Sequence, residues 1–507
     1  MRPQQLSRNS RGAGRAASGR RAGEGGGTPG AVVDFGTMPT PEDARYLSVI
    51  RDGLDPAADA SLHVVVVGAG MAGLVAAHEL KRAGHRVTVL EAQQRVGGRV
   101  LTLREPFSDG LHAEAGAMRI PRAHVLTHAY VEQFGIQTIP FVMNNPAAFV
   151  RFLGQKATRR EFEGDARSLG LDPADAERSV GPAWEEALAP LLSRIESGDW
   201  EGVVAEYDCY SLREFLEDVQ GWSETQIELF GLVNHMESLF SSSFLELLRE
   251  EAGCWFTEVV TIPGGMDLLP RAFLPGLVDD LRFGARVTAL EQSPDGVRVY
   301  YQTDAHRRTV QGDAVIVALP FSVLRHIEVT PSFSREKQRA IRTLHYDQST
   351  KIFLQFRKRF WEEDDGIFGG ASVTDLPIRA IYYPEHGRET GRGVVLASYT
   401  WAQDAERWGA LTPADRVSQA LENVALLHES APRHFEVGAS KVWHQDPYAG
   451  GAFAMFEPGQ QSRLHRDIIA PEGRIHFAGE HASLAHAWIQ GAIESGLRAA
   501  LEVTGHG

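Results

Sequence analysis

The first sharp pattern in the chain is an unbroken apolar run, Val64-Val65-Val66-Val67, followed by a glycine-rich turn and then by apolar positions at helical spacing to about Ala83, where Gly84 closes the segment. A second strand-like run, Arg86 to Leu90, comes next. Buried strand, turn, helix and buried strand in that order predict the opening of a parallel sheet. Upstream, Pro41 to Gly53 reads as a helix with Thr40 at its cap position. From about Lys156 to Trp255 β-branched runs are few, and the stretches Pro173 to Val203 and Ser211 to Glu251 predict a helical insertion. Alternation returns in Arg286 to Leu290, Val297 to Gln302 and Ala314 to Ala318, strands expected to complete the sheet begun at Leu62.

The glycine turn is Gly68-Ala69-Gly70-Met71-Ala72-Gly73. In this spacing the first glycine makes a tight turn, the second lets the backbone approach a pyrophosphate, and the third lets helix pack on strand, with the helix N-terminus receiving negative charge. The second strand ends in Glu91, whose carboxylate can accept hydrogen bonds from ribose hydroxyls. Strand, turn, helix, strand and terminal acid in register predict a dinucleotide site, without separating FAD from NAD.

Composition narrows the rest. At 507 residues two or three domains are expected. A formal charge of −15 argues against a nucleic-acid partner, whose binding draws on Lys and Arg. Cys209 and Cys254 lack the spacing of a zinc site or redox motif, so no metal and no disulfide framework are expected, and the chain reads as cytoplasmic. The longest apolar run, Val64 to Ala77, is too short for a bilayer and is broken by glycines, so no membrane partner is expected. Up to Gly30 the chain carries six arginines against one acid, Glu24. Segment 1–36 is expected to be a disordered tail; Arg20-Arg21 has no hydrophobic stretch behind it to make an export signal, and Met38 is an alternative start.

Other motifs carry a resemblance. Ala92 to Val100, with Gly97-Gly98-Arg99, resembles the second glycine motif of the flavin amine-oxidase superfamily, and Ile475 to His481 followed by His486 to Gly496 resembles its closing segment. Gly116-Ala117-Met118-Arg119-Ile120-Pro121 resembles the Gly-x-Met-Arg-x-Pro motif of L-amino-acid oxidases. A stretch from Leu344 to Trp408 is similar to the snake-venom members, including Thr350-Lys351-Ile352-Phe353-Leu354 and Ala397-Ser398-Tyr399. In all, the likeness runs from Leu62 to Leu501.

That resemblance implies an α/β fold: a discontinuous Rossmann-like FAD-binding domain (62–98, 260–345, 465–507), a mixed-sheet substrate-binding domain (37–61, 99–155, 346–464) and a helical domain (156–259). It implies FAD held by Gly68, Gly70, Met71, Ala72, Gly73, Glu91, Ala92, Arg99, Gly116, Ala117, Met118, Arg119, Val287, Glu480, Ala487, Trp488, Ile489, Gln490, Gly491 and Ala492. The closing segment lacks the cysteine used for covalent attachment in some relatives, so the FAD is expected to be non-covalent. Met266, in Gly264-Gly265-Met266, belongs to a further family signature.

For the substrate, the resemblance implies a carboxylate gripped by Arg119 and Tyr399, with Ala487, Trp488 and Phe453 beside it and Lys351 as the catalytic lysine holding a water near flavin N5. A two-pronged arginine grip suits a carboxylate and not an amine. Expected is oxidation of an L-amino acid by dioxygen to a 2-oxo acid, ammonia and hydrogen peroxide, with apolar or aromatic side chains favoured. The family's active-site histidine is replaced at the counted position by Ser241, while His235 reads as an ordinary helix histidine. An amide-forming 2-monooxygenase, an oxidase of a modified amino acid and a flavin-holding scaffold without turnover remain alternatives. A homodimer is expected by family analogy alone.

Overall fold

The computed structural model describes residues 41–56, 61–172, 182–304 and 306–505. The tail, Thr40, Met38 and the start of the segment from Pro173 lie outside them. The Val64–Val67 run forms the middle strand, His63–Val67, of a five-stranded parallel sheet ordered Leu281–Arg282, Arg86–Leu90, His63–Val67, Ala314–Val317, Ile475–Phe477. Burial on both faces explains why these strands read as continuous apolar runs. The helix Met71–Arg82 packs against the last helix, Ile489–Val503, closely enough that a Cβ on Gly496 would stand 2.5 Å from the Ala72 carbonyl oxygen. Leu74, Val75, Ile493 and Leu497 are fully buried in this layer, and a side chain of that size contributes about 1.5–3 kcal/mol on burial.

Only part of the strand-rich region 282–320 joins this sheet. Arg286–Ser293 and Gly296–Thr303 pair with each other and with His306–Gly312 and Glu328–Thr330 in a separate four-stranded sheet. The hairpin is local, so its alternation marks strands without marking which sheet they join.

A seven-stranded mixed sheet runs Phe435–Val442, Ser349–Phe356, Gly393–Trp401, Ala380–Tyr382, Ala371–Thr374, Phe149–Phe152, Gln155–Thr158. Its last strand lies where a helix was expected, because Gln155–Thr158 folds back on Phe149–Phe152 as a hairpin. Nor is Ser211 to Glu251 one continuous helix. It breaks into Leu212–Glu214, a wide turn at Phe215–Val219, Glu224–Asn234, a short turn at Glu237–Leu239 and Phe244–Ala252. Ser211 and Ser223 each cap a new helix by accepting from the backbone N–H three residues on. Pro41–Asp52 is helical as expected. Among the described residues no helix is long and apolar enough to cross a membrane.

Candidate active site

A cavity of ≈ 670 Å³ opens from the edge of the parallel sheet and reaches under the mixed sheet. Gly68, Gly70, Met71, Ala72, Glu91, Ala92, Arg99 and Val287 line it, as do Gly116, Ala117, Met118, Glu480, Ile489 and Ala492. Arg119, Lys351, Tyr399, Phe453, Ala487 and Trp488 line the same space.

The dinucleotide turn has the expected division of labour. Gly68 sits at φ +102°, and a Cβ on Gly73 would stand 2.0 Å from the Gly68 carbonyl oxygen, so Gly73 serves helix–strand packing and stays off the cavity wall. Above Gly70 nothing lies within 4 Å, leaving a cradle in front of the helix N-terminus. Glu91 is buried, its two oxygens accepting the Ala69 and Gln93 backbone N–H groups at 2.8 Å each. Burial raises its carboxyl, against the pull of those hydrogen bonds. The cradle, the helix end and the carboxylate together fit a dinucleotide's phosphates and ribose.

Two other expected cofactor residues stand behind the wall. Gln490 accepts from the Thr127 backbone N–H at 3.1 Å and from its hydroxyl at 3.2 Å. Gly491 admits the Ala485 carbonyl, which a Cβ would meet at 2.2 Å. Met266 is likewise fully buried, its N–H donating to Glu114. Arg99 lies on the wall with its guanidinium engaged: it donates to Glu480 at 2.5 Å and to the Ala452 carbonyl at 3.2 Å. Burial would raise the Glu480 carboxyl, but Arg99 and the neighbouring histidines hold it below the usual range. Glu480 also accepts the Ala487 N–H at 3.0 Å. Ala487 adopts φ +65°, a left-handed conformation for a residue with a Cβ, just before the last helix.

At the other side of the cavity, Lys351 and Tyr399 face each other across antiparallel strands. The lysine Nζ donates to the carbonyls of Gly116 at 2.7 Å and Glu114 at 3.1 Å, and lies 4.4 Å from the centre of the Tyr399 ring. Burial lowers its pKa to about 7. Arg119 lies between aromatic faces, its Cζ 5.5 Å from the Phe256 ring centre and 6.0 Å from that of Trp488. Among the described residues its Nη1 is buried without a hydrogen-bond partner. A buried guanidinium donor without an acceptor is costly.

Two residues of the helical segment stand off the cavity wall. Ser241 is exposed and off the cavity. His235 is no mid-helix residue: it caps Glu224–Asn234 in the left-handed conformation at φ 57°, with Nε2 2.9 Å from the Tyr399 carbonyl oxygen. Its ring stacks on Trp401 at 4.7 Å, and burial lowers its pKa to about 4. It therefore braces the Tyr399 strand from behind.

The sequence reading missed Leu239, Glu250, Phe256, Trp401 and Met455, all of which line the cavity. Leu239, Glu250 and Phe256 come from the helical segment, where nothing in spacing separates a cavity-facing side chain from a core or surface one. Glu250 accepts the Trp488 indole N–H at 2.8 Å.

Known proteins resemble this chain over most of its length. The family described as flavin containing amine oxidoreductase matches residues 71–504. The chain is 42% identical over 474 residues to a putative L-amino-acid oxidase, YobN, of Bacillus subtilis, covering 90% of this chain and 97% of that one. It is 37% identical to an L-amino-acid oxidase of Siganus canaliculatus (90% and 88% covered) and 36% identical to one of Vipera ammodytes ammodytes (90% and 96%). Solved structures of a putrescine oxidase and of cyclohexylamine oxidase from Brevibacterium oxydans share the fold, each at TM-score 0.69 over 88% of this chain and 99% of theirs, with 20% and 18% identity. A glycine turn that fits a dinucleotide, a far helix closing on the same cavity and this coverage lead to one conclusion: the chain belongs to the flavin-containing amine oxidoreductase family.

Proposed function

We propose that the protein binds FAD non-covalently in this cavity and oxidises L-amino acids at Cα, giving a 2-oxo acid, ammonia and hydrogen peroxide. The observation that carries the reading is that Arg119 lines the cavity together with Tyr399 and Lys351, its Nη1 without a hydrogen-bond partner among the described residues. A substrate carboxylate supplies the missing acceptor; an amine does not. Relatives named as L-amino-acid oxidases support the same substrate class.

On this proposal Gly70 and the N-terminus of Met71–Arg82 receive the pyrophosphate, Glu91 the ribose, and Val287 the adenine side. The domain division drawn from the sequence goes with it, the four-stranded sheet accompanying the FAD-binding part. When bound, the flavin would accept the two electrons of the Cα–H bond as hydride and pass them to dioxygen, and water would hydrolyse the resulting imino acid to 2-oxo acid and ammonia. The chain's own contribution is positioning: Arg119 and the Tyr399 hydroxyl fix the carboxylate and so fix Cα. Lys351, with a pKa of about 7, can hold a water or move a proton at its Nζ near neutral pH. Phe256 and Trp488 flank the Arg119 guanidinium, and Leu239 lines the same cavity. The cavity wall is mostly apolar, but Glu250 interrupts it, so a purely apolar side-chain preference is not part of the proposal.

Product analysis with a panel of L-amino acids tests the reading. Stoichiometric 2-oxo acid, ammonia and peroxide support it. Amide and carbon dioxide would make the protein a monooxygenase instead.

A further inference from the structure

The helix Phe244–Ala252 carries three carboxylates with different situations. Glu246 is committed to His486 at 3.0 Å and Arg249 at 3.3 Å, and Glu251 accepts the Trp184 indole N–H at 3.1 Å. Glu250 alone of the three lines the cavity, and its hydrogen bond from Trp488 is neutral. It forms no ion pair among the described residues; Arg119 acts on it only through space. Burial, the largest influence, raises its carboxyl to about 7.

A carboxylate on a mostly apolar cavity wall costs free energy unless a cation or donors compensate it. A pocket for leucine or phenylalanine would be better lined by apolar atoms there. Once a substrate carboxylate neutralises Arg119, the field that favours the Glu250 carboxylate is weakened. The ligand must then bring a positive charge, or Glu250 must take up a proton. The α-nitrogen is the wrong source, because a carboxylate paired with it would hold it as an ammonium, and oxidation needs its lone pair free.

We propose that Glu250 is a specificity-determining residue: with Arg119 it gives the cavity two poles of opposite sign, suited to L-amino acids with a cationic side chain, such as lysine, ornithine or arginine. The aliphatic stem of such a side chain packs on apolar lining while its charged head meets Glu250. The inference rests on the L-amino-acid reading above and narrows its substrate class.

The test compares 6-aminohexanoate with hexanoate as ligands of the flavin-loaded protein, wild type and Glu250→Gln, by perturbation of the flavin spectrum. Neither ligand has an α-nitrogen, so binding is measured apart from oxidation. The expected result is that wild type binds 6-aminohexanoate on the order of ten-fold more tightly than hexanoate, as for a charge-assisted hydrogen bond. Glu250→Gln removes that advantage by weakening 6-aminohexanoate alone, and kcat/KM for L-lysine over L-leucine falls by a similar factor. Equal wild-type affinities overturn the proposal, as does a variant that weakens both ligands alike. If the variant does not fold, the wild-type ratio still decides. If that ratio holds but no L-amino acid reduces the flavin, the oxidase reading fails and the two-pole cavity stands.

Discussion

The cavity has two regions built by different means. Around the dinucleotide turn the main chain supplies the contacts: Gly68 turns left-handed, Gly73 lets Met71–Arg82 approach its strand, and Glu91 is fixed by two backbone N–H groups. All of this lies between Gly68 and Gln93 in one uninterrupted stretch. Around Arg119 the contacts are side chains brought from separate segments, with Glu250, Lys351, Tyr399 and Trp488 as neighbours. Their charge states depend on burial, as the values of about 7 for Lys351 and Glu250 show. The first region is therefore sensitive to volume at single atoms, and the second to charge and desolvation.

The sharpest break in that comparison is Gly73→Ala against Gly70→Ala. At Gly73 the added methyl meets main chain at 2.0 Å, so the helix must withdraw. Expected is a loss of about 3 kcal/mol or more, with loss of bound flavin. At Gly70 the methyl meets nothing, so the apoprotein should melt as wild type while flavin content falls. Thermal melts and visible absorbance separate the two; identical behaviour would remove the distinction between packing glycine and cradle glycine.

Next in size is Arg119→Met. Removing one member of a buried charge pair should lower kcat/KM for L-amino acids by about two to three orders of magnitude, with the flavin retained. Steady-state kinetics on purified holoenzyme checks it.

Lys351→Met tests the electrostatic side through pH. Folding lowers the lysine pKa from 10.5 to about 7, so between those values the unfolded chain binds the extra proton and stability rises with pH. The penalty is complete below about pH 7 and absent above 10.5. The variant's apoprotein should therefore melt higher than wild type near pH 7, with the gap closing toward pH 10.5, while turnover falls by about two orders of magnitude as for a lost acid–base group. A gap independent of pH would contradict the assignment.

The smallest effect is expected at Gln490→Ala. Loss of its two hydrogen bonds from Thr127 should cost about 1–3 kcal/mol by thermal melting and leave kcat/KM unchanged.

These contrasts also explain what could be read from the chain. The βαβ unit was legible because its steric rule is written in contiguous residues, and Glu91, Gly70 and Arg119 stand on the cavity as their motifs suggested. The four-stranded sheet was not separated from the parallel one, since alternation records a strand's faces and not its partner. Glu250 was invisible, because Glu250-Glu251 in a helix looks like a solvated face, and only tertiary packing turns one carboxylate into the cavity. Ser241 stands off the cavity for the same reason: position along a broken helical stretch does not fix which turn faces the substrate.

The central claim is that Arg119 receives a substrate carboxylate, and anaerobic titration of the purified flavoprotein tests it most directly. Bleaching of the oxidised flavin band by L-amino acids, and not by their D-isomers or by the corresponding amines, is the predicted result. Bleaching by amines alone would contradict it.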